Sequence, residues 1–206
     1  MKQWILCACL LVTLGLAVAA GQEVLAADSG RAPRLAGTIA NGDFEQGRTG
    51  WTEFSSHGWP VIYDTNTLIV TPHSGAWAAW LGGVDDDLSY IEQRLDIPPG
   101  GGSLVYWYWI SSTDECDADD DSGEVRIDGT PVDALRLCNA ESTLKWVERT
   151  VDLGAHAGQT VDLQIRVATN SEGNSNLFVD DVSIIVSEQT LVVTVVGGGS
   201  VDQAPD

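Results

Sequence analysis

Side chains in this chain alternate apolar and polar with a period of two, stretch after stretch, and no stretch carries the helical period. Ile91, Gln93, Leu95 and Ile97 share one face of such a stretch, with Glu92, Arg94 and Asp96 on the other; Pro98-Pro99-Gly100 ends it. Val161, Leu163, Ile165 and Val167 alternate with Asp162, Gln164 and Arg166. Val125 and Ile127 alternate with Glu124, Arg126 and Asp128, and Asp128-Gly129 then supplies a tight hairpin turn into Val132 to Cys138. Trp146 to Leu153 and Asn176 to Ile185 complete the set. About ten strands between residues 36 and 187, at this spacing, predict an all-β, antiparallel β-sandwich. Leu104 to Ser112 differs from the rest. Val105, Trp107 and Trp109 point one way and Tyr106, Tyr108 and Ile110 the other, so both faces are large and apolar. That marks a central strand with one face in the core and the other covered or free to bind.

The two ends read differently. Lys2 precedes an apolar run from Trp4 to Leu16, and small residues follow at Ala17 to Ala20 and again at Val24-Leu25-Ala26. Residues 1–26 are therefore expected to be a secretory signal peptide, too short in its apolar run for a comfortable membrane span. Leu6-Cys7-Ala8-Cys9 would suit a lipoprotein, but too few apolar residues precede Cys9. Residues 27–35 read as a flexible mature N-terminus. Residues 188–206 read as a linker and the truncated start of a second β domain, because the run Thr190 to Val196 is one strand and cannot bury itself. No later segment reaches spanning length, so no membrane insertion is expected. Export also sorts the cysteines. Cys7 and Cys9 leave with the leader, and Cys116 and Cys138 remain as an even pair that reads as a disulfide, with two buried free thiols the alternative.

Charge and motif content exclude several functions. The net charge is −20, which repels nucleic acid and anionic membranes and suits an extracellular protein or one that holds cations. His57, His73 and His156 stand apart, none within H-E-x-x-H. There is no G-x-S-x-G elbow, no P-loop and no dinucleotide fingerprint. The chain is expected not to be an enzyme. The acidic run Asp114, Glu115, Asp117, Asp119, Asp120 and Asp121 surrounds Cys116. It lacks the sixth-position glycine and closing glutamate of an EF-hand, so it reads as a solvated loop pinned by the disulfide, with a second weak calcium site as the alternative.

Two segments are distinctive: Asn41-Gly42-Asp43-Phe44-Glu45 followed by Gly50-Trp51, and Phe178-Val179-Asp180-Asp181-Val182-Ser183. Ser74-Gly75, Trp77, Trp80 and Tyr90-Ile91-Glu92-Gln93 lie between them. In this order the chain resembles the galactose-binding-like jelly-roll superfamily, including carbohydrate-binding modules, over residues 38–187. It is also similar to MAM-like domains of exported bacterial proteins, on Leu104 to Ile110 and Val125 to Gly129. The tail resembles the opening of a β-repeat of bacterial surface proteins. A jelly roll brings its terminal strands side by side, so Asp43, Glu45, Asp180 and Asp181 would converge, and carboxylates that converge repel unless a cation separates them. The resemblance implies a structural Ca²⁺ held by Glu45 and Asp180, with a carbonyl near Ser74 completing the oxygen shell; turn-capping or solvated acids are the alternative.

The function so implied is a secreted, non-catalytic binding module with a polysaccharide or other glycan as partner. Sugar rings stack on flat aromatic faces, and the eight tryptophans, Trp4 of the leader included, are many for this length. Candidate ligand-binding rings are Trp59, Tyr63, Tyr106, Trp107 and Tyr108; for each, a place in the core is the competing expectation. The other reading is a MAM-like adhesion or accessory domain of an extracellular peptidase or surface protein, with no sugar ligand.

Overall fold

In a computed structural model the chain is described over residues 38–117 and 121–186. The expected signal peptide, flexible N-terminus and C-terminal strand lie outside the described residues, as do Asp119 and Asp120. Ten strands run in order: β1 (Thr52–Ser55), β2 (Ile62–Asp64), β3 (Trp77–Gly82), β4 (Leu88–Asp96) and β5 (Ser103–Ser112). Then follow β6 (Asp121–Ile127), β7 (Thr130–Leu137), β8 (Val147–Asp152), β9 (Thr160–Ala168) and β10 (Ser175–Ile185). The described helices are single 3₁₀ turns at Asn139–Glu141 and Gly154–His156. No described helix is long and apolar enough to cross a membrane.

The strands form two five-stranded antiparallel sheets, β1-β4-β9-β6-β7 and β2-β3-β10-β5-β8. Alternation decides which side of each strand is buried. Ile91, Leu95, Ile97, Val161, Leu163, Ile165, Val167, Val125 and Ile127 all enter the core, as their spacing predicts. The second sheet contributes Ile62, Ala79, Leu81, Leu104, Tyr106, Ile110, Leu177 and Val179. Each large apolar side chain so buried contributes about 1.5–3 kcal/mol. Asp128 and Gly129 both have positive φ, 48° and 77°, and close a two-residue turn between β6 and β7, the twist that a hairpin with these residues requires.

The opening motif departs from expectation. Asn41 to Glu45 is a turn rather than a strand, with positive φ at Asn41 and Phe44. The Asn41 side chain organises it, donating to the carbonyls of Gly47 and Thr49 and accepting from the Gln46 N–H. Phe44 is fully buried against Trp51. Gln93 explains its place on the apolar face of β4: its amide exchanges two bonds with Ala40 and donates a third to Gly50, pinning both ends of the turn.

Cys116 and Cys138 are joined, with Cα atoms 5.1 Å apart. The bridge ties the loop after β5 to the end of β7, and Asn139 donates to the Asp114 carbonyl beside it. Closing a loop of this length stabilises by about 3 kcal/mol. Cys116→Ser/Cys138→Ser is therefore expected to unfold at lower urea, and an unchanged midpoint would remove the bridge from the stabilising terms.

Candidate functional site

Two clusters collect the chemistry-bearing residues. The first is the junction of the opening turn with β10. Asp181, at φ +49°, makes a bulge that shifts the register of β10 between Asp180 and Ser183. The bulge turns the Val182 N–H towards the Gly42 carbonyl, 2.8 Å away. Approach is so close that a Cβ on Gly42 would lie 1.9 Å from the Val182 oxygen. Glu45 reaches the same place from the turn. Its Oε1 accepts from the N–H groups of Ala76 and Trp77, and its carboxylate lies over Gly75, where a Cβ would meet Cδ at 2.2 Å.

Asp180 is fully buried and approaches the same segment from β10. Its Oδ2 accepts from the Ser74 N–H and its Oδ1 from the Asp181 N–H. Burial, reinforced by the neighbouring Asp181 charge, pushes its carboxyl up to about 7 despite those donors. Asp181 itself accepts from the Ser74 hydroxyl and pairs with His73, whose ring stacks on Trp107 at 3.9 Å. Asp43 is exposed, and its Oδ1 accepts from the Glu45 N–H. Of the five residues expected together, Glu45, Ser74, Asp180 and Asp181 meet through segment 74–77, and Asp43 touches the group only through the Glu45 N–H. Among the described residues no three His, Cys, Asp or Glu side chains form a metal-binding group, so a cation there would take main-chain oxygens for much of its shell.

The second cluster is a cleft of about 100 Å³ beside the edge strand β2, lined by Ser55, Trp59, Pro60, Val61, Tyr63, Trp80, Gly82, Gly83 and Asp87. Trp59 stands over it, 54% exposed, in contact with the His57 ring at 5.2 Å. Tyr63 and Trp80 meet edge to face at 6.0 Å, and the Trp80 indole N–H is held by Asn176. Asp87 and Ser55 are the buried polar groups of the wall, and the Ser55 hydroxyl donates to Asp87. Burial alone would raise its carboxyl, but hydrogen bonds from Ser56, His57, Ser89 and Ser55 outweigh that and hold it below the ordinary carboxylate range. Ser56, His57 and Asp87 do not form a proton relay: the hydroxyl donates directly to Asp87, and the same His57 nitrogen faces both partners. Tyr63 also lines a wider depression of about 600 Å³ with Arg48, Thr49, Ile62, Asp64, Thr67 and Trp77.

Of the five rings expected to bind ligand, Trp59 and Tyr63 share this cleft. Tyr106 is corrected: it is fully buried in the core, where burial raises its hydroxyl pKa and Asp133 accepts from it, so no ligand reaches its face. Tyr108 points to the same inner side and packs against the core. Trp107 lies on the outer side, with one face taken by His73. His57 and His73 lie in loops, and each pairs with a carboxylate. Trp80 and Asp87 were not legible as site residues, because they meet Trp59 only through strand pairing and loop packing.

Together the paired five-stranded sheets, the bulged central strand and the aromatic edge cleft define a β-sandwich of jelly-roll type. No protein-family profile matches the sequence, and no curated protein matches it. Among solved structures it is similar to TmCBM61 in complex with beta-1,4-galactotriose, at 14% identity and TM-score 0.52, over 73% of this chain and 99% of the other. It is also similar to the K2 cleaved adhesin domain of Lys-gingipain, at 18% identity and TM-score 0.51, over 70% and 97% of the two chains. The K3 adhesin domain from Porphyromonas gingivalis gives 17% identity and TM-score 0.50 over 72% and 99%. The fold is the one these modules share.

Proposed function

We propose that this chain is a secreted, non-catalytic module that binds glycan in the Trp59–Tyr63–Trp80 cleft and carries a structural Ca²⁺ at the turn–β10 junction. The exposed indole of Trp59 above a cleft with a buried, ionised Asp87 carries the binding reading. A flat apolar ring takes the C–H face of a sugar, and fixed polar groups below it select hydroxyl orientation. Similarity of fold to a galactotriose-bound module supports sugar as the ligand class. Calorimetry against β-1,4-galactan oligosaccharides and a panel of other polysaccharides tests it. Trp59→Ala is expected to weaken binding at least tenfold with little change in Tm, because more than half of the ring is already in water. Trp107→Ala, which strips the stack from His73, is expected to lower Tm and leave affinity nearly unchanged. Silence across the whole panel removes the glycan reading. It would leave the second one, an adhesion or accessory domain, which the likeness to two adhesin domains favours.

The calcium reading rests on Asp180: a fully buried carboxylate beside a second one, with no ion pair to either a lysine or an arginine among the described residues. Glu45 and main-chain oxygens of the turn and of segment 73–77 would complete a shell of hard donors. The ion's part is to join turn and strand, away from the aromatic cleft.

A further inference from the structure

Two acids of the run after β5 depart from the solvated loop that its composition suggests, while Glu115 and Asp117 stay exposed. Asp114 and Asp121 are buried, 5% and 1% exposed, at the end of the sandwich next to the disulfide. The Asp121 N–H donates to Asp114 Oδ2 at 3.2 Å, so the two residues are in contact. Asp121 Oδ1 accepts from the Asn170 N–H at 2.7 Å. Its Oδ2 is shut off from solvent and has no hydrogen-bond partner. Neither acid forms an ion pair among the described residues.

Buried polar atoms are nearly always satisfied, and a buried carboxylate oxygen is among the costliest to leave bare. The Ser175 hydroxyl lies beside the Asp121 carboxyl and works against the rise in its pKa, but it and Ser112 both point at the Leu137 carbonyl. The backbone N–H groups aimed at Asp114 and Asp121 hold one oxygen of each as an acceptor. Asp85 adds a further negative charge within reach. Two adjacent carboxyls, one with an unmet inward oxygen, match a hard divalent cation.

We propose that Asp121 Oδ2 and Asp114 hold a second calcium ion, independent of the one at the turn–β10 junction, that links the disulfide-bridged loop to the start of β6. Burial otherwise pushes the Asp121 carboxyl above its ordinary range, with Asp114 and Asp85 adding to the shift. The same pressure that raises a lone proton affinity favours a cation when one is present. The ion would hold together three segments that already meet here, at residues 112–114, 121 and 170.

Equilibrium dialysis of the full chain against calcium alone, at neutral pH, decides it. Asp121→Asn and, separately, Asp114→Asn are each expected to lose one bound ion per chain relative to wild type. Glu45→Gln is expected to keep that ion and still gain melting temperature on calcium addition, a gain that Glu45→Gln/Asp121→Asn lacks. The Asp114 variant keeps the test open should Asp121→Asn fail to fold. Equal calcium in wild type and both variants, zero included, overturns the proposal. So does an Asp121→Asn chain that is simply more stable than wild type in chelator and unchanged in bound calcium, which would mark a relieved buried charge. Loss of calcium in the Glu45 variant with no loss in the Asp121 variant supports the junction site alone.

Discussion

Removing calcium should lower the melting temperature of this protein by about 5–10 °C, and the loss should depend on pH in a defined direction. An ion bound only by the folded state adds about 2.7 kcal/mol at a hundredfold excess over Kd, which for a domain of this size corresponds to that shift. In the stripped protein Asp180 keeps its raised pKa of about 7, against an ordinary value of 3.8. The folded state then binds this proton more tightly than the unfolded chain. Its contribution is fully present below about pH 4 and is lost as pH rises through 7, on the order of 4 kcal/mol across the window. Stripped protein should therefore melt higher at pH 5 than at pH 8. The calcium-loaded protein should gain on the stripped one as pH rises, because below about 7 the ion must displace a proton. Glu45→Gln and Asp180→Asn should each remove most of the chelator effect at this junction. Asp180→Asn should also remove its share of the pH slope. Superimposable melting curves with and without chelator at both pH values would leave these acids some other role.

Gly42→Ala should be the most damaging single methyl in the molecule. The new Cβ would sit 1.9 Å from the Val182 carbonyl oxygen, which belongs to the strand in the middle of its sheet. Backbone of that kind does not yield as a long side chain would. The turn must lift instead, breaking the Val182 N–H bond to Gly42 and loosening Phe44, which is buried beneath it. Overpacking of this order costs about 3 kcal/mol or more, or about 10 °C. Gly58→Ala makes the control, since nothing stands within 4 Å of its Cβ position, although its own φ of +72° still costs something. Equal melting temperatures for the two variants would mean that the turn is not held as described.

The paired sheets were largely legible in the sequence. Strands β4, β6 and β9 have one wet and one dry face, so Ile91, Val125 and Val161 could be placed by period alone. Strand β5 defeats the same rule because both of its faces are aromatic; period assigns Tyr106 and Trp107 to opposite sides without saying which side is the core. The opening motif misled for another reason. Asn41 looks like the start of a strand in one dimension, whereas its side chain closes a turn on residues six and eight positions ahead. Asp87 and His57 meet across thirty residues through loop packing, which leaves no local pattern. The acidic run illustrates the same limit: composition marks a charged loop, and only the fold shows which of its carboxylates go inside.

The place of β10 governs when this sandwich can exist at all. It lies between β3 and β5, it receives the opening turn at its bulge, and it comes last among the described strands. During synthesis the second sheet therefore stays in two halves, β2-β3 and β5-β8, until residues 175–185 emerge. Contacts this remote in sequence also close slowly. A chain built in this order can pair its first sheet by residue 168, but it locks its second sheet, and with it the shared core, only when β10 arrives.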